Sequence, residues 1–284
     1  MQDDFRIDFI GIGGQKCATS WIFKCLSEHP EVCVCSSKET HFFCDDKKFA
    51  QGLEFYQQHF DHCSGSQAVG EFSSAYLGSK QAPERIQNVF PDVKLIVSLR
   101  QPVDRAFSHY LHLKSKRMIE PDETIAEAIK KYPEVVEYGM YGKCLERYLD
   151  TFPAEQILIV WYDDLQKDPI NFIKKIYKFL SVDENFVPKI INQKYHTAEV
   201  RASKIYRKIN KTYIQLRQHA LGRLLIKILK ITGINSYNIN NLIQKNQPPK
   251  PEISAEDRGY LQAIFDADIE KLEKLISQDL SNWR

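Results

Sequence analysis

Lys16 stands in a tight turn, two residues after Gly13-Gly14 and just ahead of Cys17-Ala18-Thr19-Ser20-Trp21. A lysine ahead of hydroxyl-bearing residues at a helix start suits the capture of a phosphate group. The first amides of a helix lack internal partners, and the helix dipole adds partial positive charge there. Together these make an anion site. A second basic group, Arg100, closes the apolar run Lys94–Leu99 and is followed by Pro102 and Ser108. Arginine's planar fork matches a terminal phosphate. Acid–base chemistry is offered by Glu39 and His41. One residue separates them, so in an extended segment both point the same way. A carboxylate or imidazole placed beside a nucleophile can take its proton. The plain alternatives are a solvated loop carboxylate for Glu39 and a core imidazole for His41 beside Phe42-Phe43.

These residues need elements to hold them. Asp8–Ile12 is a short apolar run of buried-strand type, and Trp21, Ile22, Phe23, Cys25 and Leu26 recur at helical spacing after it. Lys94–Arg100, with the arginine as its last residue, and Ile157–Trp161 read as further strands. An arginine at a strand's carboxyl end faces the ligand crevice of an open α/β sheet. Pro102 fits the first turn of a helix that carries Ser108 about two turns on. Helices are expected at Pro83–Phe90, at Asp164–Leu180 and at Ile253–Ile276, the last with Ser254 as N-cap and Asp257 three residues on. Gln247-Pro248-Pro249-Lys250-Pro251 is a breaker.

The loop does not match a nucleoside-triphosphate P-loop. That motif needs a glycine directly before the lysine and a Ser or Thr directly after it; here the neighbours are Gln15 and Cys17. A nucleotide kinase would also use Lys16 but needs that glycine and magnesium ligands; it stays as one alternative, and a non-catalytic adenosine-nucleotide binding module is another.

Four stretches in order resemble the sulfotransferases that use 3′-phosphoadenosine 5′-phosphosulfate (PAPS). GGQKCATSW resembles their 5′-phosphosulfate loop, and LIVSLRQPVDRAFSHY their 3′-phosphate motif. Lys38-Glu39-Thr40-His41-Phe42-Phe43 looks like a segment of the heparan-sulfate and bacterial members. Gly70-Glu71-Phe72-Ser73-Ser74-Ala75-Tyr76 looks like their G-E-x-[ST]-P-x-Y strand and turn. The resemblance spans about residues 7 to 205. It departs at Phe72, where glycosaminoglycan members commonly carry lysine, and at Ser74, where proline is usual.

The resemblance implies an α/β, P-loop-NTPase-like fold: one domain over residues 1–284, with a central mostly parallel sheet covered by helices on both faces. It implies PAPS as sulfuryl donor and no metal. Lys16 would meet the leaving phosphate. Cys17, Ala18, Thr19, Ser20 and Trp21 would hold the 5′-phosphate, and Arg100 and Ser108 the 3′-phosphate. Arg201 and Lys204 resemble a basic loop near the 3′-phosphate. Glu39 is the implied general base, with His41 as its helper or substitute. Arg105 reads as a second basic group near the nucleotide, Glu71 as a support for the Lys16 loop, and Asp163-Asp164 as a helix cap. The acceptor expected is a hydroxyl, or else a nitrogen, of a small natural product or carrier-bound intermediate, with a glycan next. The C-terminal part, about 200–284, is expected on the acceptor side.

Composition narrows the partners. The formal net charge of the 284-residue chain is only +2, which implies no polyanion field and no nucleic-acid partner. The charge is uneven: Val200–Pro251 holds eleven Lys and Arg and no Asp or Glu. Within it, 216–231 has apolar residues at helical spacing. That pattern fits a helix on the core, with contact to a membrane surface or partner as the alternative. No stretch is apolar enough to span a bilayer, and the start shows no signal-type segment, which points to the cytoplasm. Six of the seven cysteines precede residue 64. Without a C-x-x-C pair, reduced thiols are the simpler expectation over a structural zinc.

Overall fold

The computed structural model describes residues 5–192 and 251–284. Arg201, Ser203, Lys204 and the basic stretch 216–231 lie outside the described residues.

Five strands form one sheet: β1 (Phe9–Gly13), β2 (Val32–Val34), β3 (Ala68–Phe72), β4 (Lys94–Leu99) and β5 (Ile157–Trp161). Their spatial order is β2-β3-β1-β4-β5, and every adjacent pair is parallel. The chain moves out to one side of β1 and returns to the other. Such a reversal opens a crevice beyond the carboxyl ends of the central strands. All five residues of β1 are buried, as a strand covered on both faces requires.

The described helices are α1 (Thr19–Glu28), α2 (Asp46–Phe49), α3 (Leu53–Gln57), α4 (Ala82–Val89), α5 (Pro102–Lys116), α6 (Ile125–Lys131), α7 (Glu134–Glu137), α8 (Tyr141–Leu149), α9 (Tyr162–Lys167), α10 (Pro169–Leu180) and α11 (Ala255–Ile276). Strand side chains alternate between two cores. Phe9 and Ile96 meet Trp21, Ile22 and Leu26 of α1 and Phe172, Ile176 and Tyr177 of α10. Ile10, Val97 and Leu99 meet the opposite layer, which includes Val103 and Ala106 of α5, Leu145 of α8 and Phe265 and Leu272 of α11. Ser254 caps α11 by accepting from the Asp257 amide at 3.0 Å. On α11, Asp268 accepts from the amides of Gly142 and Lys143 at 2.8 and 2.9 Å and so caps the start of α8. The described C-terminal helix therefore packs behind α5 and α8.

Three expectations change. The helix read over Asp164–Leu180 is two helices, because Pro169 has no amide to donate and forces the preceding residue out of helical geometry. Asp168 takes the break and caps α10 through the Asn171 amide at 3.0 Å. Asp163 and Asp164 are not caps: they lie in the first turn of α9, and Asp164 pairs with Lys175 at 2.7 Å. The cysteines are not all reduced, since Cys33 of β2 and Cys63 form a disulfide that closes a separation of 30 residues. Parallel pairing of β2 with β3 brings that strand and the loop before β3 side by side, with the amides of Gln67 and Ala68 both on the Glu31 carbonyl. His62 adjoins the pair, its Nε2 3.8 Å from Cys63 Sγ. The disulfide leaves these two sulfurs no thiolate to offer a metal.

Candidate active site

The loop that carries Lys16 grows from the buried end of β1. Gly13 has φ +153°, and a Cβ there would lie 2.9 Å from Leu77 Cβ. At Gly14 a Cβ would press on Cys17 Sγ and the Ser98 carbonyl, each at 3.2 Å. Gly13 is thus required by its backbone angle and close approach, and Gly14 sits where a side chain would be tight. Lys16 and Ala18 follow with φ of 69° and 65°, and α1 begins at Thr19. No side chain caps α1 and no acid sits in its first turn. Its positive end is kept for something else.

Two hydrogen bonds fasten this loop to β4. The Gly14 amide donates to the Ser98 carbonyl at 2.8 Å, and the Ser98 hydroxyl donates to the Cys17 carbonyl at 2.7 Å. Arg100 follows two residues later, its guanidinium 4.6 Å over the ring of Tyr162 at the end of β5. The amides of Cys17 and Trp21 are taken by the carbonyls of Gly14 and Ala18 at 3.2 and 2.9 Å. The Cys17 thiol is buried 3.5 Å from the Tyr141 hydroxyl, and burial pushes its pKa up. Ser108 is half-buried on α5 between the buried Phe107 and His109. The capping residue of α5, Gln101, accepts from the Asp104 amide at 2.8 Å and donates to the Trp283 carbonyl at 3.1 Å.

Glu39 and His41 sit beside the same end of the sheet. The Glu39 carboxylate accepts from the Ser74 amide at 2.9 Å, the Ser74 hydroxyl at 2.7 Å and Lys38 Nζ at 3.2 Å. His41 Nε2 lies 3.7 Å from Glu39 Oε2, and the ring is 41% exposed against 19% for the carboxylate side chain. The segment is not plainly extended, because His41 has φ 57°; the two groups meet all the same. Behind them Glu71 is fully buried and accepts from four hydroxyls: Thr40 at 2.6 Å, Ser73 at 2.7 Å, Tyr76 at 2.8 Å and Tyr56 at 2.9 Å. Glu71 therefore braces the Glu39 loop. Four buried donors make a carboxylate there affordable.

Arg105 is fully buried and points away from the solvent side, with its Nη2 donating to the carbonyls of Glu134 and Val135. Burial lowers its pKa. The neighbouring His109 was not singled out by sequence. Its pKa is pushed down to about 3 by burial first, then by Arg105, Lys16 and His112. The sequence assigns no role to Ser74, Thr40, Tyr56, Tyr76, Tyr141 or Tyr162. Each acts on a partner distant in the chain, which no local pattern reports.

The crevice thus gathers a lysine turn and an uncapped helix start from β1, an arginine from β4, and a carboxylate–imidazole pair bonded to the turn after β3. The sulfotransferase domain family matches residues 6–219. The chain belongs to that family. Its members are transferases that take the sulfuryl group from PAPS, which sets the kinase alternative aside. Among curated sulfotransferases, the chain is 34% identical over 182 residues to heparan sulfate glucosamine 3-O-sulfotransferase 5 of Mus musculus, covering 60% of this chain and 52% of that protein. It is 30% identical over 219 residues to heparan sulfate glucosamine 3-O-sulfotransferase 3A1 of Homo sapiens, covering 75% and 52%. The chain spans about half the length of these relatives. A sulfotransferase from Alicyclobacillus acidocaldarius superposes with a TM-score of 0.70 at 26% identity, over 99% of both chains. The fold is that of the sulfotransferases, P-loop-NTPase-like with a parallel sheet. Among the described residues no helix is long and apolar enough to cross a membrane.

Proposed function

We propose that this chain, read as one domain, transfers a sulfuryl group from PAPS to a hydroxyl of a saccharide acceptor. The observation that carries the donor half is the fastening of the Lys16 loop to the strand that ends in Arg100, through Ser98. It supports one ligand with phosphates at both ends. The cradle fits such a group: a glycine turn closely packed against Leu77, Cys17 and Ser98, an uncapped helix start without acids, and a guanidinium stacked in place.

PAPS supplies an activated sulfuryl group on a stable leaving phosphate. Lys16 is assigned to the charge that grows on that phosphate oxygen. The amides of Ala18, Thr19 and Ser20 and the Thr19 and Ser20 hydroxyls hold the 5′ end, since the Cys17 and Trp21 amides are already taken. Arg100 and Ser108 hold the 3′-phosphate, with Arg201 and Lys204 proposed as additional contacts. Glu39 and His41 receive the acceptor's proton as its oxygen attacks sulfur and the bond from sulfur to the phosphate oxygen breaks. As in phosphoryl transfer, alignment and charge stabilisation do most of the work.

Likeness to relatives named for heparan sulfate glucosamine 3-O-sulfation favours a sugar hydroxyl. A small natural product is the second reading, favoured by Phe72. It is fully buried against Phe9 and Gly11 and offers no cation where glycosaminoglycan members commonly have lysine. The test is transfer of radiolabel from PAPS to a panel of glycosaminoglycan oligosaccharides, simple glycosides and non-sugar alcohols. Labelled sugars support the first reading and labelled alcohols alone the second. No transfer to any member, with the donor bound, overturns the assignment.

A further inference from the structure

Ser74 touches both halves of the site. It is 6% exposed, and its carbonyl oxygen would lie 3.2 Å from a Cβ on Gly13, against the loop that carries Lys16. On its other side it grips Glu39 with two donors at once, the hydroxyl on Oε1 at 2.7 Å and the amide on Oε2 at 2.9 Å. Its place is fixed from below. The Ser73 amide donates to the Gly11 carbonyl at 2.9 Å and the Leu77 amide to the Ile12 carbonyl at 2.7 Å. The Ser73 hydroxyl is tied to buried Glu71 and accepts from the His41 amide at 3.1 Å.

A carboxylate has about four lone-pair positions, two on each oxygen. On Oε1 the Ser74 hydroxyl and Lys38 fill both. On Oε2 the Ser74 amide fills one, and the other is left on the side of His41, whose Nε2 is 3.7 Å away. That distance is too long for a direct hydrogen bond. One acceptor oxygen can nevertheless reach both atoms at hydrogen-bonding range. From this geometry we infer that Ser74 is a positioning residue that assigns Glu39 Oε2 as the atom taking the acceptor's proton. The inference rests on the reading of Glu39 and His41 as the proton-accepting pair. Ser74 acts through Glu39 and needs no contact with substrate. With its hydroxyl gone, the carboxylate keeps the Ser74 amide and the longer contact to Lys38, loses the closest bond on Oε1, and can turn Oε2 away from the position shared with His41. The proton still goes from the acceptor hydroxyl to a carboxylate oxygen, and the acceptor oxygen still forms the bond to sulfur; only the fraction of time in reacting geometry falls.

The test compares Ser74→Ala, Ser74→Thr and Ser74→Pro with the unaltered chain, and repeats Ser74→Ala in a Glu39→Gln background. Steady-state rates are measured with a labelled acceptor, and binding of 3′,5′-ADP by calorimetry. Ser74→Ala is expected to lower kcat about tenfold, the worth of one bond to a charged group, with acceptor KM and 3′,5′-ADP affinity within twofold. Ser74→Thr keeps the hydroxyl and restores the rate. Ser74→Pro removes both donors and lowers kcat further. In the Glu39→Gln background Ser74→Ala costs nothing more, because the two residues act as one unit. A kcat for Ser74→Ala within twofold of the unaltered chain overturns the inference, and so does an equal loss with and without Glu39. If Ser74→Pro fails to bind 3′,5′-ADP, the alanine and threonine variants decide. Full activity in Glu39→Gln alone would instead remove the proton-acceptor reading beneath it.

Discussion

The Ser98 hydroxyl donates to the Cys17 carbonyl at 2.7 Å, bridging 81 residues of chain. Ser98 is fully buried in β4, so this bond is shielded from water and joins, at their roots, the two loops proposed to hold the phosphates. Ser98→Ala leaves the Cys17 carbonyl without that donor and is expected to cost about 1 kcal/mol of stability. Loop registry should suffer more visibly: affinity for 3′,5′-ADP is expected to fall about fivefold to tenfold. Unchanged affinity by calorimetry would mean that the loop holds its shape without β4.

The Cys33–Cys63 bridge ties the edge strand β2 to the loop before β3. Closing a loop of that length stabilises a fold by about 3.6 kcal/mol in the chain-entropy account. A reductant is therefore expected to lower the melting midpoint by several degrees. Thiol titration of the unfolded, unreduced chain should find five free cysteines, Cys17, Cys25, Cys35, Cys44 and Cys144. Seven titratable thiols would contradict the pairing.

His109 gives the fold an acid-sensitive point. The ring is 4% exposed and holds its pKa near 3, against 6.5 when free. Between those values the unfolded chain binds a proton that the folded chain refuses. Stability due to this residue is thus full above about pH 6.5 and declines as pH falls towards 3. Lowering pH from 7.5 to 5 is expected to cost about 2 kcal/mol through His109 alone. Denaturant melts at the two pH values check this: His109→Gln should lose less stability than the parent on acidification. Equal losses would show that the ring accepts a proton in the folded state.

Much of the framework beneath the proposed donor side was legible in the sequence because it is local. Strand, glycine turn, lysine and helix start are consecutive from Phe9 to Glu28, and the Arg100 strand and the proline-led helix behind it are likewise continuous. The strand read over Ile157–Trp161 matches the structure residue for residue, and the one read over Lys94–Arg100 ends one residue earlier, at Leu99. What escaped is contact across the chain. Glu71 reads as a strut for the Lys16 loop, yet the alternation of β3 turns it to the face where Thr40, Tyr56 and Tyr76 wait. Ser74 reads only as a missing proline, yet it holds Glu39. Cys33 and Cys63 carry no spacing signal, since parallel pairing of distant strands is what brings them together. The break at Asp168 was within reach: Pro169 announces it.

The donor assignment demands discrimination by a single phosphate. Calorimetry of the full chain with 3′,5′-ADP and with ADP, alongside Arg100→Ala, measures it directly. Both ligands carry two phosphates on adenosine; 3′,5′-ADP has the second on the 3′ oxygen, where Arg100 and Ser108 are assigned, and ADP has it on the 5′-phosphate. The account predicts that 3′,5′-ADP binds at least about tenfold more tightly, in keeping with a charge-assisted guanidinium–phosphate contact, and that Arg100→Ala abolishes the difference. Equal affinities in the unaltered chain, or a preference that survives Arg100→Ala, would contradict it.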